Sequence, residues 1–157
     1  MLAWVLEKAG GKRFPDLVAE ELCQHMGAEH DADTTIDAHG NALADGGISV
    51  TLRDAGRIGL LALRRGRAEA GAAGGAGTAA RQVLPPEWLG DTVAGVPDGP
   101  WAFRAGDGAK GYPPGAHYRT CWWVTNPSLP TFNAVGIHGQ HIFVHGPGQT
   151  VVVELSS

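Results

Sequence analysis

The sequence predicts an α+β fold, in which helices and loops come first and an antiparallel sheet follows. Apolar residues recur every three or four positions up to about residue 63, as they do on one face of a helix. The segment 118–155 is instead rich in aromatic and β-branched residues, which favour strands. Asn, Gly and Pro residues divide that segment, so its parts are expected to pair as a meander of about three strands.

Two helices are predicted at the beginning of the chain, and each ends at glycine. Gly10 and Gly11 follow the first apolar stripe, and Pro15 suits the first turn of the second helix. Gly27 is placed to close the second helix in left-handed backbone, which glycine adopts without steric cost. The stripes are Leu2, Val5, Leu6 and Ala9, and then Leu17, Val18, Leu22 and Met26.

The middle of the chain is expected to hold two more helices between long loops. Thr51 and Asp54 have the spacing of a capping box, with Asp in place of Glu or Gln, and open a helix that ends in the basic turn 64–66. A short helix is predicted to begin at 85–89. The predicted loops are 31–50, with one short extended piece, the Gly/Ala-rich and mobile segment 67–80, and the Gly/Pro-rich segment 95–117.

The extended segments at the end of the chain are 118–125, 132–138, 140–145 and 150–155, with a turn at 146–148. A sheet that ends there would leave an apolar face and an edge uncovered, and both are liabilities for a soluble protein. The first helix also begins without a capping residue. We therefore expect residues 1–157 to be the carboxyl-terminal part of a single domain that is incomplete at both ends.

Composition argues against several classes of function. The chain has 12 Lys and Arg against 16 Asp and Glu, so a basic surface for nucleic acid or an anionic membrane is not expected. Its apolar runs are far shorter than the ~20 residues that span a bilayer. Cys23 and Cys121 are expected to be free, buried thiols, which suits a reducing compartment and a cytoplasmic location.

The candidate for chemistry is the segment Gly136-Ile137-His138-Gly139-Gln140, which lies between two apolar extended segments. Glycines at a strand end let a backbone N–H approach a ligand closely, as an oxyanion hole requires. A Gly-rich strand or bulge without any function would show the same pattern. No cofactor is expected. No metal site is expected either, because 138 and 141 differ by an odd number and would point to opposite faces of a strand.

The segment 136–140, followed by an aliphatic strand, a Gly/Pro turn and 151–157, resembles the closing strands of 6-aminohexanoate-dimer hydrolases. These are amidases and related esterases of the β-lactamase and penicillin-binding-protein superfamily. Segment 46–54 and the residues around 2–7 also agree with that family, in the same order. The resemblance implies that the chain is the carboxyl-terminal part of such a serine hydrolase, with a partial β-lactamase-like fold.

In that family a Ser-x-x-Lys element supplies the nucleophile and the base, and a tyrosine element helps to move the proton. Leu52 stands three positions after Ser49, and Thr131 stands three positions after Ser128, so no such element is present in this chain. Both tyrosines come later in the sequence than the family's catalytic tyrosine. The resemblance therefore implies that this chain is inactive alone and that an amino-terminal segment would complete the site.

The same resemblance implies that the chain keeps the rim of the site. The backbone N–H of Ile137 would be one oxyanion donor. His138 would replace the lysine of the superfamily's Lys-Thr-Gly, so an amide or ester substrate is more fitting than a penicillin. Of the adjacent Trp122 and Trp123, alternation places one in the core, and we favour Trp123 as the residue that faces the substrate. The implied substrate-binding residues are Trp123, His138, Gly139, Gln140 and Ser49.

Three hypotheses about function stay open. The first is a part of a serine amidase or esterase that acts on a small linear amide or ester through an acyl-enzyme. The second is a non-catalytic binding or partner module derived from that fold. The third is an independent hydrolase that uses Ser49, whose replacement by alanine would have to abolish activity. No Gly-x-Ser-x-Gly element supports the third.

Overall fold

A computed structural model of the chain describes residues 1–69, 71, 79–106 and 110–156. Helices precede an antiparallel sheet of five strands, so the predicted α+β class is confirmed. Within these ranges, no helix is long and apolar enough to cross a membrane. The helices are α1 (Leu2–Gly10), α2 (Phe14–Val18), α3 (Gln24–Met26), α4 (Leu52–Leu63), α5 (Pro86–Ala94) and α6 (Gly99–Ala105).

The first two helical segments end where the glycines predict. Gly11 and Gly27 adopt left-handed backbone, with φ of 67° and 74°. A π-helical turn, Ala19–Cys23, joins α2 to α3, so that the helix continues from one to the other. The buried residue of α1 is Ala3. Four apolar residues of α1 are between 42% and 67% exposed: Leu2, Trp4, Val5 and Leu6.

The loop between α3 and α4 contains a small hairpin, in which β1 (Asp33–Thr34) pairs with β2 (Ile48–Ser49). The predicted cap of α4 is confirmed, because the Asp54 N–H donates to Thr51 Oγ1 at 3.2 Å. The prediction that 95–117 is only loop is wrong: α6 lies there, with Pro100 in its first turn, where proline is well tolerated.

The prediction that 67–80 is a single mobile loop is also wrong at its two ends. There β3 (Arg67–Ala68) pairs with β4 (Arg81–Gln82), an interaction made by the backbone that these polar side chains do not reveal. Residues 70 and 72–78, which make up most of the low-complexity segment, lie outside the described residues.

The large sheet has five strands, so the expectation of about three is wrong. Its order is β5 (His117–Arg119), β6 (Trp122–Asn126), β7 (Thr131–Val135), β8 (His141–His145) and β9 (Thr150–Glu154), with each strand antiparallel to the next. The predicted strand 118–125 is two strands, because Thr120 and Cys121 adopt φ of 49° and 67° and reverse the chain. Such turns usually contain Asn or Gly, which explains why this one is not evident in the sequence.

One face of the sheet forms the core. Five residues face one another across the five strands on this side, and we call them the inner row: His117, Val124, Phe132, Val144 and Val151. Phe132, Val124 and Val144 are at most 1% exposed. Helix α4 packs on this face at Gly59, where a Cβ would lie 2.5 Å from Val151 Cγ1. Leu89 of α5 joins the same core cluster.

The opposite face carries a second row across the same strands, the outer row: Tyr118, Trp123, Asn133, Phe143 and Val152. The rings of Phe103 in α6 and Tyr112 lie 5.5 Å and 6.0 Å from the ring of Trp123, so they cover the first part of this face. Three apolar residues farther along, Val135, Phe143 and Val152, are 42%, 36% and 53% exposed. We call these three residues the open half of the outer face.

Candidate functional site

The segment 136–140 forms the connection between β7 and β8. The Gly136 N–H donates to the Gln140 carbonyl oxygen at 2.8 Å, which closes the turn. Ile137–Gly139 is a 3₁₀ turn, in which His138 and Gly139 have φ of 61° and 80°. Because left-handed backbone does not fit a strand, the predicted strand 132–138 ends at Val135, and His138 and Gly139 lie in a turn.

This turn is open to solvent, since the Ile137 residue is 76% exposed. A backbone that passes from right-handed to left-handed conformation directs successive N–H groups toward one side, an arrangement that binds anions. The geometry is therefore suitable for holding a negatively charged oxygen next to the backbone of Ile137 and His138.

Other parts of the chain reach the same end of the sheet. The turn at 120–121 lies there, because Arg119 pairs with Trp122 at the beginning of β6. Ser156 lies close to Gly139, where a Cβ would be 3.5 Å from Ser156 Cβ. Helix α4 also begins at this end, since its Gly56 faces Val153 whereas Gly59, one turn later, faces Val151. Ser49 is exposed and precedes α4 by three residues, on the inner side of the sheet.

The two tryptophans take opposite faces, as alternation predicts. Trp122 is 6% exposed and packs edge-on against Phe132 in the core, with ring centroids 5.1 Å apart. Trp123 is half-buried on the outer face, where Tyr112 stacks against it and Tyr118 meets it edge-on at 5.2 Å. The outer face, rather than the core, is thus the place where Trp123 could meet a ligand.

His117 is a buried polar residue that the sequence interpretation missed. It is 2% exposed, with Nδ1 at 3.0 Å from the Gly115 carbonyl oxygen and Nε2 at 2.9 Å from that of Thr92. The Thr92 hydroxyl also lies 2.6 Å from that of Thr120, so α5 is tied to the turn between β5 and β6. No pattern in the sequence points to this network, because its members are far apart along the chain.

Within the described ranges, no group of three or more His, Cys, Asp or Glu residues is arranged to hold a metal ion. The cysteines are free, as predicted, but they are not both buried. Cys23 is half-buried and Cys121 is exposed, because it lies in the turn between β5 and β6. Burial raises the pKa of the Cys23 thiol, and the charge of Asp54 raises it further.

The ion pair predicted on the surface of α4 is buried on one side. Asp54 is 2% exposed and accepts from the Glu29 N–H at 2.9 Å, from the Thr51 hydroxyl at 2.8 Å and from Arg57 Nη1 at 3.1 Å. Burial alone would raise the pKa of this carboxyl, but these hydrogen bonds and the charge of Arg57 hold its pKa below the ordinary value. Asp54 therefore joins the segment after α3 to the start of α4.

Two cavities lie away from the 136–140 turn. One, of about 460 Å³, is mostly apolar and lies at the opposite end of the sheet, between α5 and the β6–β7 connection; its lining includes Leu89, Val93, Pro127, Pro130 and Phe132. The other, of about 310 Å³, lies beside α4 and is lined by Arg57, Arg64 and Arg67 among other residues.

Comparison with known proteins supports the resemblance inferred from the sequence. The chain is 30% identical over all 157 residues to the 6-aminohexanoate-dimer hydrolase of Paenarthrobacter ureafaciens, of which it spans 37%. Its fold superposes on that of a Bacillus anthracis protein provisionally named a 6-aminohexanoate-dimer hydrolase, with a TM-score of 0.75 and 25% identity. That match covers 99% of this chain and 35% of the Bacillus chain. No protein-family model matches the chain.

These matches confirm the resemblance to 6-aminohexanoate-dimer hydrolases and are consistent with the carboxyl-terminal part of that family. The chain spans little more than a third of the length of either relative.

Proposed function

We propose that this relative of the 6-aminohexanoate-dimer hydrolases supplies the oxyanion side of a serine hydrolase site that acts on small linear amides or esters. The observation that carries the proposal is the exposed turn at 136–140, whose left-handed His138 and Gly139 follow directly on Ile137. A second segment would supply the nucleophilic serine, its lysine base and the tyrosine. This chain alone would then be inactive.

In the proposed reaction the serine oxygen attacks the substrate carbonyl carbon while the serine proton passes to the lysine. The carbonyl oxygen becomes an oxyanion, which accepts hydrogen bonds from the Ile137 N–H and from the N–H of the serine itself. Collapse of this intermediate transfers the proton to the leaving amine or alcohol and leaves an acyl-enzyme. Water then releases the acid and regenerates the serine.

The remaining predicted site residues have supporting but less direct roles in this proposal. Trp123 would contact the substrate from the outer face, two strand positions from the turn. Ser49 would approach from the inner side, where α4 begins. His138 would line the turn with a neutral or weakly cationic side chain instead of a lysine, which favours an uncharged amide or ester over an anionic β-lactam.

A chimera tests this proposal: the matching segment of the Paenarthrobacter hydrolase is replaced by this chain, and hydrolysis of the linear 6-aminohexanoate dimer and of a p-nitrophenyl ester is measured. Ile137→Pro removes the donor N–H and is expected to lower kcat about 100- to 1,000-fold. The backbone should accept it, because the residue begins a helical turn and Gly136 before it is extended, at φ −97° and ψ 171°.

The matched control is Ile137→Val, which keeps both the N–H and a β-branched side chain. A folded Ile137→Pro chimera with the same kcat as Ile137→Val would show that this N–H is not an oxyanion donor. A folded chimera that hydrolyses neither substrate, even with Ile137 intact, would favour the non-catalytic partner module, which the exposed apolar residues of the outer face also fit.

A further inference from the structure

We infer that the open half of the outer face is the docking surface for the segment that completes the hydrolase site, and that this segment presents an apolar helix face to it. The identity of the segment rests on the proposed function, whereas the docking surface follows from the sheet itself.

The strands beside this surface have the composition of strands that are covered on both faces. Three consecutive apolar residues occur in β8 and again in β9: Ile142, Phe143 and Val144, and Val151, Val152 and Val153. A sheet with one solvated face alternates apolar and polar residues, whereas a sheet buried on both faces has continuous apolar runs. Only the inner residues of these runs are covered by α4, so the outer ones lack the packing that their sequence specifies.

Asn133 gives a second, independent indication. It lies between Trp123 and Phe143 in the outer row and is 8% exposed, yet its Oδ1 has no hydrogen-bond partner among the described residues. Buried side-chain amides normally have partners. A covering segment that brings an N–H or O–H donor to this position would satisfy the amide, so we assign such a donor to the segment.

The surroundings favour a helix as the occupant. The inner face is covered by α4 and α5, and the first part of the outer face is covered by α6, so a further helix would complete a layer that already exists. His141, His145 and Glu154 lie at the margin of the open half, which gives the surface an apolar centre and a polar rim, as in protein interfaces.

The position of the surface links it to the proposed reaction. Val135 directly precedes the 136–140 turn, so a segment on the open half would end next to Ile137. The related hydrolases have the additional chain that such a segment requires, because this chain spans only 37% of one and 35% of the other.

The test compares the chimera that carries this chain with its Val152→Glu and Phe143→Glu variants. If these positions become buried by the added segment, each charge should lower the Tm of the chimera by about 5 °C or more. Trp101→Glu is the control, because Trp101 is 75% exposed on α6, outside the open half, and its replacement should change the Tm by about 1 °C at most. Hydrogen exchange should also show slower exchange of the β8 and β9 amides in the chimera than in this chain alone.

Variants at Val152 and Phe143 that shift the Tm no more than Trp101→Glu would overturn the inference, even in an active chimera. Strong shifts in a folded but inactive chimera would support the docking surface and refute the proposed function. If the chimera does not accumulate, this chain and the remainder of the Paenarthrobacter hydrolase are co-expressed, and loss of copurification in Val152→Glu alone would support the inference. A dimer of this chain that Val152→Glu dissociates would instead identify a second copy as the occupant and overturn it.

Discussion

Removal of the Asp54 carboxylate is expected to cause one of the largest losses of stability available from a single polar side chain. Asp54→Ala would leave the Glu29 N–H and the Thr51 hydroxyl without their acceptor. Hydrogen bonds to a charged group contribute roughly 1.5–3 kcal/mol each. Arg57 loses less, because it is 23% exposed and keeps its contact with Glu29. We therefore expect the free energy of unfolding to fall by about 3–5 kcal/mol.

Asp54→Asn separates charge from shape. The amide oxygen can still accept from the Glu29 N–H, so the expected loss is smaller, about 1–2 kcal/mol. Urea unfolding followed by circular dichroism measures both variants, and Asp45→Ala, at an exposed position, is the control. An Asp54→Ala loss below about 1 kcal/mol, or equal to that of Asp45→Ala, would refute the reasoning.

The pH dependence gives a second measurement of the same network. The pKa of Asp54 is lowered in the folded chain, so the folded state holds this proton less tightly than the unfolded state does. The stability that the ionised carboxylate contributes is therefore complete above the unfolded pKa of about 4 and is lost as the pH falls through the lower folded pKa. The difference in stability between the unsubstituted chain and Asp54→Asn should narrow over that range, and a constant difference would contradict this account.

Gly59→Ala should destabilise the chain by about 1–3 kcal/mol, because the new Cβ would lie 2.5 Å from a methyl group of β9. Gly90→Ala in α5 meets nothing within 4 Å and should stabilise by about 0.5–1 kcal/mol; urea unfolding measures both, and the same sign for the two would contradict the packing. At pH 8 Cys23, with its raised thiol pKa, should react with a disulfide reagent more slowly than exposed Cys121. Single-serine variants assign the two rates, and equal rates would contradict the burial of Cys23.

Local signals in the sequence predict much of the fold correctly. Gly11 and Gly27 end helices because the left-handed backbone required there is suited to glycine, and Thr51 caps α4 because its hydroxyl accepts an N–H three residues later. Alternation along β6 separates Trp122 from Trp123. In each of these cases the cause lies within a few residues of its effect.

The missed features depend on contacts between distant segments. Thr120 and Cys121 reverse the chain without Gly or Asn, while the Thr120 hydroxyl contacts that of Thr92 in α5. Asp54 is buried because the Glu29 N–H approaches it from a segment 25 residues earlier. For the candidate site, the sequence indicates the 136–140 turn, but the left-handed backbone of His138 is visible only in the structure.

The inner and outer rows also determine where the chain can tolerate a change in length. Neighbouring residues of a strand face opposite sides, so one residue inserted in the middle of β8 would exchange the two rows for the rest of that strand. Phe143 would then compete for the space of Val144, which is completely buried, and the core would lose its fit to α4. An additional residue at 146–149, between β8 and β9, would lengthen the turn and leave both rows in place. Length variation among functional versions of this chain should therefore accumulate in the turns, and deletions within β7 to β9 should abolish folding.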